Sequence, residues 1–276
     1  MSGSRPPERL EKALARVARE EGVDQERLRR WVSFLALCGV LERALSEGTL
    51  GTYYIKGGVA MELRFAQRAR ATKDLDLGID GNRASRLEAL STALRPGFDR
   101  FTFRVKAQTR DMEQADTTRI QVVLQYRTRS WQTIEVDLGP AKVGHVDLIE
   151  PRVRGLAELG IPVISPVRCL SLADQVAQKL HACTGPFSPG RARDILDILL
   201  IDLLGELDYK AAAKASRKIF KERATHKFPP NSTIPREWGP ELEALARDLE
   251  FPFRTVSTIE RRFLEIVANL ARAAEP

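Results

Sequence analysis

The hydrophobic period changes twice along this chain, and that change limits the possible folds more than any other feature. From Glu8 to Glu47 apolar residues recur at helical spacing, through Leu10, Leu14 and Val17 and then through Leu28, Trp31, Leu35 and Leu41, with Gly22 at the break. Between Tyr53 and Pro151 the period falls to two, in Phe101–Lys106, Thr118–Tyr126, Thr133–Leu138 and His145–Ile149, with one helix near Ala84–Leu94. After Pro166 helical spacing returns in Ser171–Cys183, Arg191–Leu204, Tyr209–Arg223, Pro240–Glu250 and Val256–Ala273. The expected class is therefore α+β: N-terminal helices and a β-rich core over residues 1–160, then a helical C-terminal half over residues 161–276. With 276 residues, the chain can bury a sizeable core.

Composition narrows the class of protein. Hydrophobic residues at 43% and charged residues at 29% exclude intrinsic disorder and a collagen-like repeat. Three widely spaced cysteines, Cys38, Cys169 and Cys183, exclude a disulfide scaffold and fit a reducing cytosol. Met1 to Arg9 has no apolar run of the kind a secretory leader needs. The most apolar stretch, Ile195 to Leu204, carries Asp197 and Asp202 and is far shorter than the ~20 residues of a membrane span. A cytoplasmic protein without a membrane segment is expected.

Chemistry concentrates in the β-rich part. Lys56-Gly57-Gly58 is followed, after fifteen intervening residues, by Asp74-Leu75-Asp76-Leu77. On a strand, alternate side chains share a face, so Asp74 and Asp76 point one way while Leu75, Leu77 and Ile79 enter the core. Ile134, Val136 and Leu138 alternate with Glu135 and Asp137 in the same manner, offering a third carboxylate if the two strands are neighbours. Carboxylates meeting at a sheet surface repel one another unless a cation sits among them, and hard oxygen donors suit Mg²⁺. Two such ions about 4 Å apart could activate an attacking hydroxyl and stabilise a leaving pyrophosphate. The glycine pair before a helix lets a backbone come close to phosphate, with free N–H groups at the helix start.

The helical half adds two features. Leu172, Val176, Leu180 and Cys183 form one helical stripe, and Lys179 falls on its edge, as either a snorkelling side chain or a phosphate ligand. In the next helix Asp194 and Asp197 share a face of a segment apolar almost all round, so they need a cation, with Lys179, Arg191 and Arg193 as candidates. His181 points away from the stripe and reads as structural or solvent-facing rather than as a metal ligand. Further on, Lys210, Lys214, Arg217, Lys218 and Lys221 follow a single helical face. From Tyr209 to Lys227 there are seven Lys/Arg against one acid, so most of the net +7 is concentrated there. Such a face is a solvated surface or a track for an RNA backbone.

These residues resemble a known pattern. The hydrophobic-Gly-Gly turn, the Asp-x-Asp strand and the later hydrophobic-Asp-hydrophobic strand look like the DNA polymerase β-type nucleotidyltransferase superfamily. More narrowly, Tyr54-Ile55-Lys56-Gly57-Gly58-Val59-Ala60-Met61 with Arg70-Ala71-Thr72-Lys73-Asp74-Leu75-Asp76-Leu77 is similar to the AbiEii/AbiGii toxin family, which includes the MenT toxins. Asp174-x-x-x-x-Lys179, His181-Ala182, Arg191-x-Arg193-Asp194-x-x-Asp197, Thr225-His226-Lys227-Phe228-Pro229 and Trp238 extend the likeness. Gly58 stands where the wider superfamily commonly has serine, and the Gly-to-Asp spacing is longer than usual there; both are normal for the toxin branch. The resemblance implies a nucleotidyltransferase-like mixed sheet that uses NTP and Mg²⁺, with two ions held by Asp74 and Asp76 and joined by Asp137. It implies that Lys179, helped by Lys56 and the Gly57-Gly58 turn, meets the nucleotide phosphates, and that Asp194 or Asp197 supports activity. It further implies the 3′ end of tRNA as acceptor, with a separately encoded antitoxin as partner. Read from the residues alone, a small-molecule or protein hydroxyl as acceptor and a non-catalytic RNA-binding module stay open.

Overall fold

The structure is a computed structural model that describes residues 7–106, 110–112, 116–141, 144–152, 159–162, 166–186 and 190–274. It divides into two compact units: Met1–Gln67 with Ala71–Cys169, and Arg68–Arg70 with Leu170–Pro276. Among the described residues no helix is long and apolar enough to cross a membrane.

The first unit opens with helices α1 (Pro7–Glu20) and α2 (Gln25–Ser46). Gly22, with φ +64°, makes the break between them, and the Asp24 side chain caps α2 by accepting from the Arg27 backbone N–H. The middle of α2 is buried almost all round, with Trp31, Phe34, Leu37 and Leu41 in the core. Next come β1 (Tyr53–Lys56), α3 (Gly57–Phe65), β2 (Asp74–Ile79) and α4 (Arg83–Leu94). The remaining strands are β3 (Phe101–Val105), β4 (Arg110–Met112), β5 (Thr117–Tyr126), β6 (Arg129–Pro140), β7 (Val146–Ile149) and β8 (Val167–Leu170). They form one mixed sheet ordered β3-β5-β6-β2-β1-β8-β7, with β4 pairing to β5. The β2/β6 and β1/β8 pairs are parallel; β1/β2, β3/β5 and β5/β6 are antiparallel. The inward positions of the central strands, Leu75, Leu77, Ile120, Val122, Ile134 and Val136, share one core with α2.

The α+β class and the order of elements agree with the sequence reading, and three local features differ from it. Val167–Leu170, to which the sequence reading assigns no element, is a strand, because its four residues between Pro166 and the cap at Ser171 are too few for a helix and pair with β1. The stretch between Tyr126 and Thr133 is no loop: β5 turns into β6 through Arg127 and Thr128, both with positive φ (47° and 67°). Two-residue turns of this kind usually advertise themselves with Asn or Gly, which are missing here. β4 was not legible in its three residues.

Glu62 of α3 ties the first unit together from inside. Its buried carboxylate accepts from Trp31 Nε1 (2.9 Å) and Arg27 Nε (2.8 Å) on α2, and from the Thr72 backbone N–H (3.1 Å) on the approach to β2. Burial pushes its pKa above the usual carboxylate value, against the pull of Arg27 and the hydrogen bonds.

The second unit is helical: α5 (Leu172–Thr184), α6 (Ala192–Leu203), α7 (Tyr209–Arg223), α8 (Gly239–Asp248) and α9 (Val256–Ala273). Ser171 caps α5 and Asp208 caps α7, each accepting from a backbone N–H three residues on. Val176, Leu180, Ile195, Ile198 and Leu199 are buried with the α9 stripe Ile259, Phe263, Ile266 and Leu270. Arg262 of α9 donates to Asp202 of α6 (2.6 Å). Cys38, Cys169 and Cys183 are free and buried.

Glu62→Ala leaves three donors on α2 and before β2 without their acceptor. It should lower the unfolding free energy of the first unit by about 3–5 kcal/mol, measured by urea denaturation followed through Trp fluorescence.

Candidate active site

The site grows from the junction of β1, α3 and β2. Lys56, the last residue of β1, lies opposite Asp76 in the antiparallel register. The chain then turns at Gly57, whose φ is +65°, and a Cβ at that position would lie 2.0 Å from Asp76 Oδ2. A Cβ on Gly58 would meet the Thr72 side chain at 2.8 Å. Both glycines are thus required for the approach of β2, and the Asp76 carboxylate rests over the first turn of α3. A Cβ built on Gly139 would lie 3.7 Å from Lys56 Nζ, which puts this ammonium over β6, two residues from Asp137.

The parallel β2/β6 register places Asp74 beside Glu135 and Asp76 beside Asp137, so four carboxylates line one face. A cation among them is Arg119 of β5, which sits opposite Asp137. Its Nε donates to Asp137 Oδ1 (2.7 Å) and its Nη2 to Asp137 Oδ2 (2.6 Å), a two-pronged charge-assisted bond. The same guanidinium lies 3.6 Å from Glu135 Oε2 and 3.9 Å from Asp74 Oδ2. Burial pushes the Asp74 carboxyl above the usual range; Glu135 and Asp137 add to this, and Arg119 and Lys73 oppose it. The hydrogen bond to Asp137 holds the Arg119 pKa above its ordinary value against burial. The adjacency of the two strands, on which the sequence argument depended, is present. In this structure Arg119 engages both Asp137 oxygens. Among the described residues no three His, Cys, Asp or Glu side chains are placed to hold a metal ion together. Asp74 and Asp76 do fit Mg²⁺: they offer hard oxygens on one face, and this ion commonly takes only one or two carboxylates with waters and substrate phosphates.

The second unit holds a buried ionic cluster. Lys179 of α5 donates to Asp197 Oδ2 (2.6 Å) and Asp194 Oδ1 (3.0 Å) of α6, and Arg70 donates to Asp197 Oδ2 (3.2 Å). Of the expected cations, Arg191 reaches Asp194 at 3.5 Å, whereas Arg193 pairs with Glu241. Arg70 was not foreseen as a partner; its only signal was its place in the motif before the Asp-x-Asp strand. Burial depresses the Lys179 pKa, but Asp197 and Asp194 outweigh it and the ammonium stays charged well above its ordinary value. For Asp197 burial acts upward, and Lys179 and Arg70 reverse it to a value below the usual range.

Beside this cluster, His181 Nε2 and His226 Nδ1 both lie against Thr225 Oγ1 (3.0 and 2.9 Å). Arg223 Nη1 meets His181 Nδ1 (3.3 Å), and Thr184 Oγ1 meets His226 Nε2 (2.9 Å). His181 is therefore buried and structural. Burial, then Arg223 and His226, lower its pKa to about 4, and burial lowers that of His226. On α7, Ala212, Ala213, Ser216, Ile219 and Phe220 face inward, while Lys210, Lys214, Arg217, Lys218 and Lys221 are all exposed.

The fold has counterparts among known proteins. The fold matches MenT4, a nucleotidyltransferase toxin from Mycobacterium tuberculosis, with a TM-score of 0.61 at 16% identity over 93% of this chain and 89% of that one. Weaker matches are the antibiotic-resistance factor ANT(2″)-Ia (TM-score 0.41, 19% identity, 70% of this chain and 94% of that one) and an antigenic nucleotidyltransferase-like protein from Paracoccidioides brasiliensis (0.42, 17%, 83% and 95%). No curated protein matches the sequence. The family model described as nucleotidyl transferase AbiEii toxin, type IV TA system, spans residues 39–269 and so takes in both the β2 carboxylates and the α5–α6 ionic cluster. The chain belongs to the AbiEii nucleotidyltransferase toxin family of type IV toxin–antitoxin systems.

Proposed function

We propose that this toxin transfers nucleotides from an NTP to the 3′ end of tRNA in a Mg²⁺-dependent reaction, which blocks translation in the cytoplasm until its antitoxin counteracts it. The observation that carries this reading is β2, where Asp74 and Asp76 share a face and Asp76 rests over Gly57 at the head of α3. In the reaction the terminal ribose hydroxyl attacks the α-phosphorus, the new P–O bond forms as the bond to the β-phosphate bridging oxygen breaks, and pyrophosphate leaves. Asp74 and Asp76 hold the divalent ions, which when bound withdraw phosphate charge and ease deprotonation of the hydroxyl. Asp137 orients that hydroxyl and takes its proton. Lys56 and the N–H groups at Gly57 and Gly58 receive phosphate oxygens. Lys179 neutralises phosphate charge, and Asp194 and Asp197 keep its ammonium charged and fixed. The exposed α7 face, Lys210, Lys214, Arg217, Lys218 and Lys221, carries the tRNA backbone.

Incubation of purified protein with total tRNA, Mg²⁺ and each α-labelled NTP in turn tests the chemistry. Label should enter tRNA and be released by trimming of its 3′ end, and Asp76→Asn should lower the rate by at least about a hundredfold. Label on a small molecule or on protein, or no label at all, overturns the acceptor. Lys214→Glu with Lys218→Glu should weaken tRNA binding and flatten the log–log salt dependence of the affinity by about two units.

The ionic cluster yields a pH prediction. The depressed Asp197 value gives stability that is complete above the ordinary carboxylate value of about 3.9 and is lost as pH falls through its lower folded value. The raised Lys179 value gives stability that is complete below about 10.4 and is lost only as pH rises beyond it. Asp197→Asn should therefore destabilise the second unit by about 3 kcal/mol at pH 7, and the gap to the unmodified protein should close as pH falls below 4. Urea titrations across pH 2–8 measure it.

A further inference from the structure

Arg119 lies where the site's metal chemistry would place a cation. Its two prongs occupy both oxygens of Asp137, and its remaining nitrogen faces Glu135. A divalent ion arriving at Asp74 and Asp76 finds a fixed positive charge 3.9 Å from Asp74 and a third carboxylate already engaged. That carboxylate becomes available only if the guanidinium acquires another anion of matching shape. A phosphate group is such an anion, since the planar fork that grips a carboxylate grips phosphate equally well. Arg119 is also partly open to solvent, with 37% of its side chain exposed against 16% for Asp137, so the arginine is the member of the pair that can move.

We propose that Arg119 is an internal counter-cation that withholds Asp137 from the metal until a nucleotide triphosphate draws the guanidinium away, so that nucleotide and metal bind with positive coupling. This rests on the proposed reading of Asp74 and Asp76 as metal ligands. Without nucleotide the protein then binds a divalent ion weakly, through β2 alone. With nucleotide bound, Arg119 rests on a phosphate, and Asp137 turns to the metal and the acceptor hydroxyl. Arg119 becomes a positioning residue and a phosphate contact at once, and free metal does not dwell in the site of an idle toxin.

The test is Mn²⁺ binding without nucleotide, read from the loss of the free-ion electron paramagnetic resonance signal, for the unmodified protein, Arg119→Gln, Arg119→Lys and Asp76→Asn. Circular dichroism checks that each is folded. Arg119→Gln should bind Mn²⁺ about tenfold more tightly, a typical size for a coupling between sites, and adding Asp137→Asn to it should remove the gain. It should also bind a non-hydrolysable NTP analogue more weakly in EDTA, where no metal contributes. Should Arg119→Gln fail to fold, Arg119→Lys keeps the charge but loses the fork, and should show part of both effects. Unchanged or weaker Mn²⁺ binding in the folded Arg119 variants, with Asp76→Asn weaker than the unmodified protein, overturns the role of Arg119 and leaves the metal reading in place. No Mn²⁺ binding by any of the proteins overturns both.

Discussion

Repulsion among carboxylates that one strand register forces together is the constraint around which the first unit is arranged. Parallel pairing of β2 with β6 aligns Asp74 with Glu135 and Asp76 with Asp137, and a slip of β2 by one residue would send Asp74 and Asp76 into the apolar core. A charge that makes this face tolerable arrives from β5, through a device at the other end of the strand. Between Leu124 and Gln125 the β5/β6 pairing shifts by one residue, and Trp131 is the extra one. Without that bulge Arg119 would sit opposite Val136 instead of Asp137. Trp131 is held by its own contacts, with Nε1 donating to Ser33 Oγ (3.0 Å) and its ring against Phe101 (5.7 Å). An aromatic anchor in the core thus decides which carboxylate the arginine reaches.

The second unit meets a related problem by burial rather than by register. Inside the unit Lys179 and Arg70 match Asp194 and Asp197 charge for charge, and the exposed Arg191 reaches Asp194 from the rim. A balanced cluster of this kind can be buried, whereas the loss of any single member leaves an uncompensated charge in an apolar setting. Its position on α5 and α6 follows from the caps. Ser171 starts α5, and Asp194 falls in the first turn of α6, where the helix dipole favours an acid.

How far the sequence could be read depended on whether the signal was local. Asp74 and Asp76 were legible because a period of two assigns faces within a single strand, and the exposed α7 face because a helix does the same with a period of 3.6. Gly57 was legible as a close approach, but the sequence suggested phosphate as the neighbour, whereas the structure also sets Asp76 against it. Arg119 was hidden, since its partner is fixed only by the hairpin joining β5 to β6, whose turn at Arg127 and Thr128 lacks the usual Gly or Asn and whose register carries a bulge. Arg70 was hidden for a comparable reason: Asp197 lies far away in the chain, and only tertiary packing joins them.

His181 of α5 and His226 have a direction built into them. Arg223 can only donate, so His181 Nδ1 must accept, and a neutral ring then carries its proton on Nε2. That proton goes to Thr225 Oγ1, whose own hydrogen must turn to His226 Nδ1; His226 in turn carries its proton on Nε2 and passes it to Thr184, which donates to the Leu180 carbonyl oxygen (2.7 Å). Both tautomers are dictated by one guanidinium at the end of α7. The loop after that helix is fastened to α5 by a file of hydrogens all pointing the same way, and no ring or hydroxyl in the file can reverse without turning the others with it.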